Sequence, residues 1–131
     1  MKKTGILNQP ISAVIAGMGH KDTLVVADAG LPIPPETERI DLALREGLPS
    51  FLDTLGAILM EMEVERAIVA EEMLEVSPEI LKGLKALLGD VSIETVSHED
   101  LKARSRSARA VVRTGEFTPY ANVILVAGVV F

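Results

Sequence analysis

Short apolar runs alternate with amphipathic stretches along most of this chain. Residues 24–27, 67–70 and 123–126 are brief hydrophobic runs rich in Val and Ile, as is 108–112; their length and composition suit buried strands, and 91–96 also reads as a strand. Residues 39–44 alternate apolar and polar like a further strand. Between them lie helix signals. Asn8 or Ser12 can cap a helix carrying Ile11, Val14, Ile15 and Met18, which Gly17 and Gly19 then terminate. Pro49-Ser50 opens a second, with Phe51, Leu55, Ile58, Leu59 and Met62 on one face. Ser77-Pro78 predicts a third, the Ser77 hydroxyl as N-cap and Leu81, Leu84, Leu87 and Leu88 following. Residues 97–100 open a short fourth. Residues 31–35, with Pro32, Pro34 and Pro35, form a stiff loop that excludes helix.

Strands alternating with helices predict an α/β protein, three layers α/β/α around a mixed, mostly parallel sheet. The last strand follows a short polar loop, so one antiparallel pair is expected. No linker or repeat divides residues 1–131, and their number suits one domain with one core.

Composition changes this picture in two ways. Hydrophobic residues make up 48% and mean hydropathy is +0.32, high for a small domain. No apolar run approaches the roughly 18 residues of a membrane helix, so membrane insertion is not expected and the surplus points to a homo-oligomeric interface. The net charge of -6 and pI near 4.9 argue against nucleic acid, which requires clustered Lys and Arg. The basic stretch 102–109 is interrupted by Ala and Ser and is read as a solvated helix end and loop. There is no cysteine, and the two N-terminal lysines precede no apolar segment long enough for a signal peptide. A cytoplasmic location is expected.

The candidate chemistry centres on a polar, turn-rich block between two strand-like runs, Arg113-Thr-Gly-Glu-Phe-Thr-Pro-Tyr-Ala-Asn122. Tyr120 and Asn122, two apart, share one face if they begin the following strand, and a phenol beside a carboxamide suits a ligand rich in hydroxyls. The chain has two histidines, His20 and His98. His20 lies between a helix end and a strand; Asp28 lies at that strand's carboxyl end, where open α/β sheets place ligand groups. A histidine can give and take protons near neutrality, with a carboxylate fixing its tautomer. The plainer readings are a helix-capping His20, a turn-forming Asp28 and an exposed first-turn His98.

Other motifs fail. Gly17-x-Gly19 follows a helix and precedes a strand, the reverse of a phosphate-cradling turn. His20, Asp28 and His98 lack metal-ligand spacing, so no metal is assigned. No serine sits on a glycine elbow. Glu71, Glu72 and Glu75 read as a solvated acidic stretch.

Taken together, Lys3-Thr-Gly-Ile-Leu-Asn8, Gly19-His-Lys-Asp22, Ala27-Asp-Ala-Gly-Leu-Pro32, Ser97-His-Glu99 and Arg113 through Asn122 closely resemble the ribose pyranase family, over residues 2–131. The sister fucose mutarotases share the Gly-His and Pro-Tyr elements but tend to carry Asn-Phe-Pro near residue 31 and Gly-Asn at 121–122. The resemblance implies an isomerase of ribose catabolism that interconverts the β-pyranose and β-furanose forms of D-ribose. It implies His20 as catalytic acid, with Asp28, His98, Tyr120, Ala121 and Asn122 binding substrate. It also implies ring-shaped homo-oligomers, commonly decamers, with sites at subunit contacts, and a functional link to the ribose transporter and ribokinase.

The chemistry suits these residue types. Opening a hemiacetal requires protonation of the ring oxygen and loss of the anomeric hydroxyl proton, so no cofactor is needed, and positioned acid/base groups contribute roughly 10²–10⁴-fold. His20 would protonate the ring oxygen while Asp28 orients it or binds a hydroxyl. Two other readings stay open: a mutarotase for fucose or another monosaccharide, and a non-catalytic ribose-binding subunit of an uptake system.

Overall fold

The computed structural model describes residues 1–131. The first helix, α1 (Gln9–Gly17), starts where Asn8 Oδ1 accepts the Ile11 N–H at 3.0 Å, and Pro10 sits in its first turn. The strand β1 (Thr23–Ala27) follows, then β2 (Arg39–Asp41), shorter than the alternation of residues 39–44 predicts. α2 (Phe51–Leu59) is capped by Ser50, whose hydroxyl accepts the Asp53 N–H. Next come β3 (Val64–Ala70), α3 (Glu72–Val76), α4 (Pro78–Leu88), β4 (Ser92–Val96), α5 (His98–Ser105), β5 (Ala110–Arg113) and β6 (Val123–Ala127).

The six strands form one sheet in the order β2-β5-β1-β6-β3-β4. β1 pairs parallel with β5, β5 with β2, and β3 with β4, whereas β6 runs antiparallel to both β1 and β3. Five strands therefore share one direction, as the alternation of elements predicts. The antiparallel expectation needs correcting. β6 does not fold back on β5 as a short connection suggests; β1 lies between them, and β6 makes two antiparallel pairings rather than one. It is the one strand that pairs with both the β2-β5-β1 half and the β3-β4 half.

Strand side chains alternate between two cores, as the pleat requires. Leu24, Val26, Val112, Val123 and Leu125 face a core closed by α1, α2 and α4, with Phe51, Leu55, Ile58 and Leu84 at its centre. Val25, Val111, Ile124 and Val126 face a smaller core closed by Leu101 of α5 and by Leu31. Helices thus cover both faces, giving the three-layer α/β/α arrangement.

One local expectation fails. Ser77 occupies the N-cap position of α4, but its hydroxyl does not cap; it donates to the Pro119 carbonyl at 2.8 Å. The acidic stretch runs into the short helix α3; Glu71 and Glu75 are exposed as expected, while Glu72 is half-buried and Met73 between them is buried. No helix is long and apolar enough to cross a membrane.

Candidate active site

Parallel strands end together, so the segments leaving them converge on one edge. Here that edge collects Asp28 after β1, His98 after β4 and Arg113 at the end of β5. Because β6 runs the other way, its entry, residues 120–122, arrives at the same edge. A cleft of about 460 Å³ lies there, lined by Asp28, His98, Arg113, Glu116, Thr118 and Tyr120 among others.

Asp28 and Asn122 hold each other in a two-bond clasp. Asn122 Nδ2 donates to Asp28 Oδ2 at 2.9 Å, while the Asp28 amide donates to Asn122 Oδ1 at 2.9 Å. The other carboxylate oxygen accepts the Gly30 N–H at 2.9 Å, an Asx turn. Asp28 is thus both the turn residue of the plainer reading and a fixed acceptor facing the cleft. Each of its oxygens keeps a lone pair for a ligand hydroxyl. Asn122 is fully buried behind the wall, and Ala121 beside it belongs to the core.

Tyr120 departs from the strand geometry expected of it. β6 begins only at Val123, and Tyr120 sits in a turn with φ of 61°, closed by the Asn122 N–H donating to its carbonyl at 2.8 Å. A bulky residue in the left-handed region is strained by roughly 1–3 kcal/mol and persists only where its surroundings enforce it. What enforces it is on both sides: the ring packs on the larger core, and the His98 ring meets it edge-on, centroids 5.0 Å apart and planes at 85°. His98 opens α5, where Ser97 caps by accepting the Asp100 N–H. Its own amide donates to Glu72 at 3.0 Å. His98 Nδ1 is buried without a partner among the chain's own groups. Burying a polar atom unpaired costs about 1–3 kcal/mol.

Several supporting residues carry no local signal of their role. Glu72 anchors the start of α5 from 26 residues away. Glu116 accepts the Phe51 N–H at 3.1 Å through one oxygen and the Thr118 hydroxyl at 2.8 Å through the other. Arg113 donates from Nε to the Ala29 carbonyl and pairs with Asp41. Thr114, fully buried, donates to the Ala27 carbonyl at 2.7 Å. Gly115 passes so close to the 45–48 segment that an added Cβ would lie 2.5 Å from two backbone carbonyl oxygens. The polar character of residues 113–122 marked the block, but only the fold assigns these partners.

His20 is elsewhere. It precedes β1, so it lies at the edge opposite Asp28, separated by the length of a five-residue strand, about 15 Å. Within one chain Asp28 therefore does not orient it, and His20, Asp28 and His98 form no cluster. The carboxylate beside it is Glu65, with His20 Nε2 and Glu65 Oε2 2.8 Å apart. The His20 turn is braced independently. Asp22 Oδ2 accepts the Gly19 N–H at 2.8 Å, Arg109 pairs with that carboxylate at 2.9 Å, and Lys21 takes φ of 69°. The Gly19 hydrogen bond, then Arg109, hold the Asp22 carboxyl below its ordinary range.

Fold and cleft define an α/β protein with a small cleft at the carboxyl edge of a mixed sheet, its polar side chains placed to bind a compact, hydroxyl-bearing ligand. The chain belongs to the RbsD / FucU transport protein family, whose model matches residues 1–130. It is 61% identical, over the full length of both chains, to a protein from Chloroflexus aggregans named D-ribose pyranase. Its fold is similar to that of Bacillus subtilis RbsD complexed with D-ribose, with a TM-score of 0.97, 50% identity and both chains fully covered. The fucose mutarotase of Streptococcus pneumoniae, in complex with L-fucose, is more distant: TM-score 0.77 and 26% identity, with 95% of each chain covered.

Proposed function

We propose that this protein is a D-ribose pyranase, an isomerase that exchanges the β-pyranose and β-furanose rings of D-ribose through the open chain. The observation that carries this reading is the clasped Asp28 beside His98 and Tyr120, in a chain 61% identical end to end to a named D-ribose pyranase. The lower likeness to the fucose mutarotase favours ribose over fucose.

Asp28 accepts a sugar hydroxyl, and Tyr120 and His98 offer a phenol and a ring nitrogen to others. Asn122 holds Asp28 in place, and Ala121 contributes through its backbone. His20 supplies the proton to the ring oxygen, after which the chain rotates and recloses on a different hydroxyl. Since His20 stands at the far edge of its own sheet, the reading requires that a second copy bring its His20 to this cleft. Exposed apolar residues support such an assembly: Phe117 on the cleft rim, and Val130 and Phe131 beside the His20 turn. A homo-oligomer, the decamer implied by the family resemblance, would present one shared site per copy. Working in the cytoplasm, it would link the ribose transporter, which delivers mainly pyranose, to ribokinase, which takes the furanose.

Saturation-transfer NMR on D-ribose tests this. Saturating β-pyranose H1 is expected to attenuate β-furanose H1 in the presence of catalytic amounts of protein, and His20→Ala is expected to slow that exchange by roughly 10²-fold or more. A folded protein that binds ribose without accelerating exchange would instead be a binding subunit.

A further inference from the structure

We infer that Glu65 is a positioning residue that holds His20 through Nε2, so that the proton passed to the sugar leaves Nδ1. This rests on His20 being the acid of the proposed reaction.

Two independent features bring the carboxylate to the ring. The first is a bulge in β3. The β3–β6 register runs Val64 against Ala127 and then Arg66 against Val126, leaving Glu65 as the extra residue. Strict alternation from buried Val64 would leave only Glu65 exposed before Arg66 turned inward. Instead Glu65 and Arg66 are both exposed and Ala67 is buried. A bulge of this kind re-aims a side chain and is enriched beside active sites. The second is the turn before β1. Lys21 N–H donates to the Ala127 carbonyl at 2.9 Å, tying the residue after His20 to the strand end that faces the bulge. Both the bulge and the left-handed Lys21 carry a local conformational cost, and together they place Glu65 Oε2 2.8 Å from His20 Nε2.

An ionised carboxylate only accepts hydrogen bonds. Paired with one, the neutral imidazole carries its proton on Nε2, and Nδ1 is the nitrogen left to face a ligand. The His20 and Glu65 side chains are 46% and 39% exposed, so the pair stands where a second copy can meet it. In the ring-opening direction, the imidazolium Nδ1–H gives its proton to the ring oxygen as the C1–O bond breaks, the bonding pair staying on that oxygen. The anomeric hydroxyl loses its proton to water, and the freed pair completes the C1 carbonyl. Reclosure adds the C4 hydroxyl oxygen to C1, returns that hydroxyl's proton to Nδ1, and re-protonates the carbonyl oxygen from water.

The ring nitrogens of the whole oligomer can be read by long-range ¹H–¹⁵N correlation NMR, and His20→Ala identifies the His20 signals because there are two histidines. The expected neutral form carries the proton on Nε2. Glu65→Ala is expected to lose that preference and lower kcat tenfold or more, with KM within about twofold. Glu65→Gln, whose amide oxygen can accept the same N–H, is expected to keep the tautomer and recover much of kcat. A wild-type His20 protonated on Nδ1 in its neutral form would overturn the assignment, whatever the variants do; so would wild-type kcat in Glu65→Ala. An unchanged rate in His20→Ala would remove the acid itself, a different failure.

Discussion

Asn122 shows how a single side chain can be legible in sequence for one reason and matter for another. Its place two residues after Tyr120 suggested a shared strand face toward the ligand. In the fold it is buried, and its carboxamide is spent on Asp28, one end on the backbone amide and the other on the carboxylate. Replacing it with Asp would set a second carboxylate against the first in a buried position. An uncompensated buried charge costs on the order of 3–5 kcal/mol, so Asn122→Asp is expected to lower the urea midpoint markedly and abolish ring exchange. Part of the lost stability should return on acidification, as one carboxyl of the pair takes up a proton. Asn122→Ser, which removes the clasp without adding charge, should be the milder change. His20 gives the converse lesson: its residue type announced proton transfer, but its partner, Glu65, is 45 residues away and reaches it through a bulge that no local pattern marks.

Among elements, those defined by their own periodicity and caps were the legible ones. Asn8, Ser50 and Ser97 each cap the helix that follows them, because an N-cap is a contact over three residues. Ser77 carries the same signal and does otherwise: its hydroxyl donates to the Pro119 carbonyl 42 residues away and makes no cap. The loop 113–122 depends on such distant partners throughout. Gly115→Ala would force its Cβ against the Arg45 and Leu48 carbonyls, and displacing backbone here is expected to cost about 1–3 kcal/mol and to raise KM for ribose more than it lowers kcat. The turn at residues 19–22 responds to pH instead. Because the folded carboxyl of Asp22 is held below its ordinary range, it stabilises the turn fully above about pH 4 and loses that contribution as pH falls through the depressed value. The stability gap between wild type and Asp22→Asn, followed by urea titration, should therefore be widest near neutrality and narrow as pH falls through the depressed value.

At the scale of the molecule, the fold class follows from alternating elements, but the strand order does not. Periodicity says that residues 123–126 form a buried strand; it carries no information on which strands flank it. Nor could it show that the two candidate histidines leave opposite edges of the sheet. If the site is shared between copies, His20→Ala and Asp28→Ala, each inactive alone, should regain part of the wild-type exchange rate when co-expressed, in the mixed oligomers that pair an intact His20 with an intact Asp28. Failure of complementation, with mixed assembly verified by mass spectrometry, would count against a shared site.

The position of β6 also governs when the protein can become native at all. The two halves of the sheet have no pairing with one another except through β6, the last of the six strands to be synthesised. Its contacts reach back across the whole chain: Leu24 pairs with Leu125, and Leu125 and Ile124 fill opposite cores. Such long-range closure is slow and leaves open strand edges while it waits. Nascent chains should therefore stay protease-sensitive until residues 123–127 emerge from the ribosome. In refolding, pulsed hydrogen exchange should show β1 and β3 gaining protection together. Leu125→Ala, expected to cost about 2–5 kcal/mol, should loosen both halves at once, because this one strand is paired with each of them.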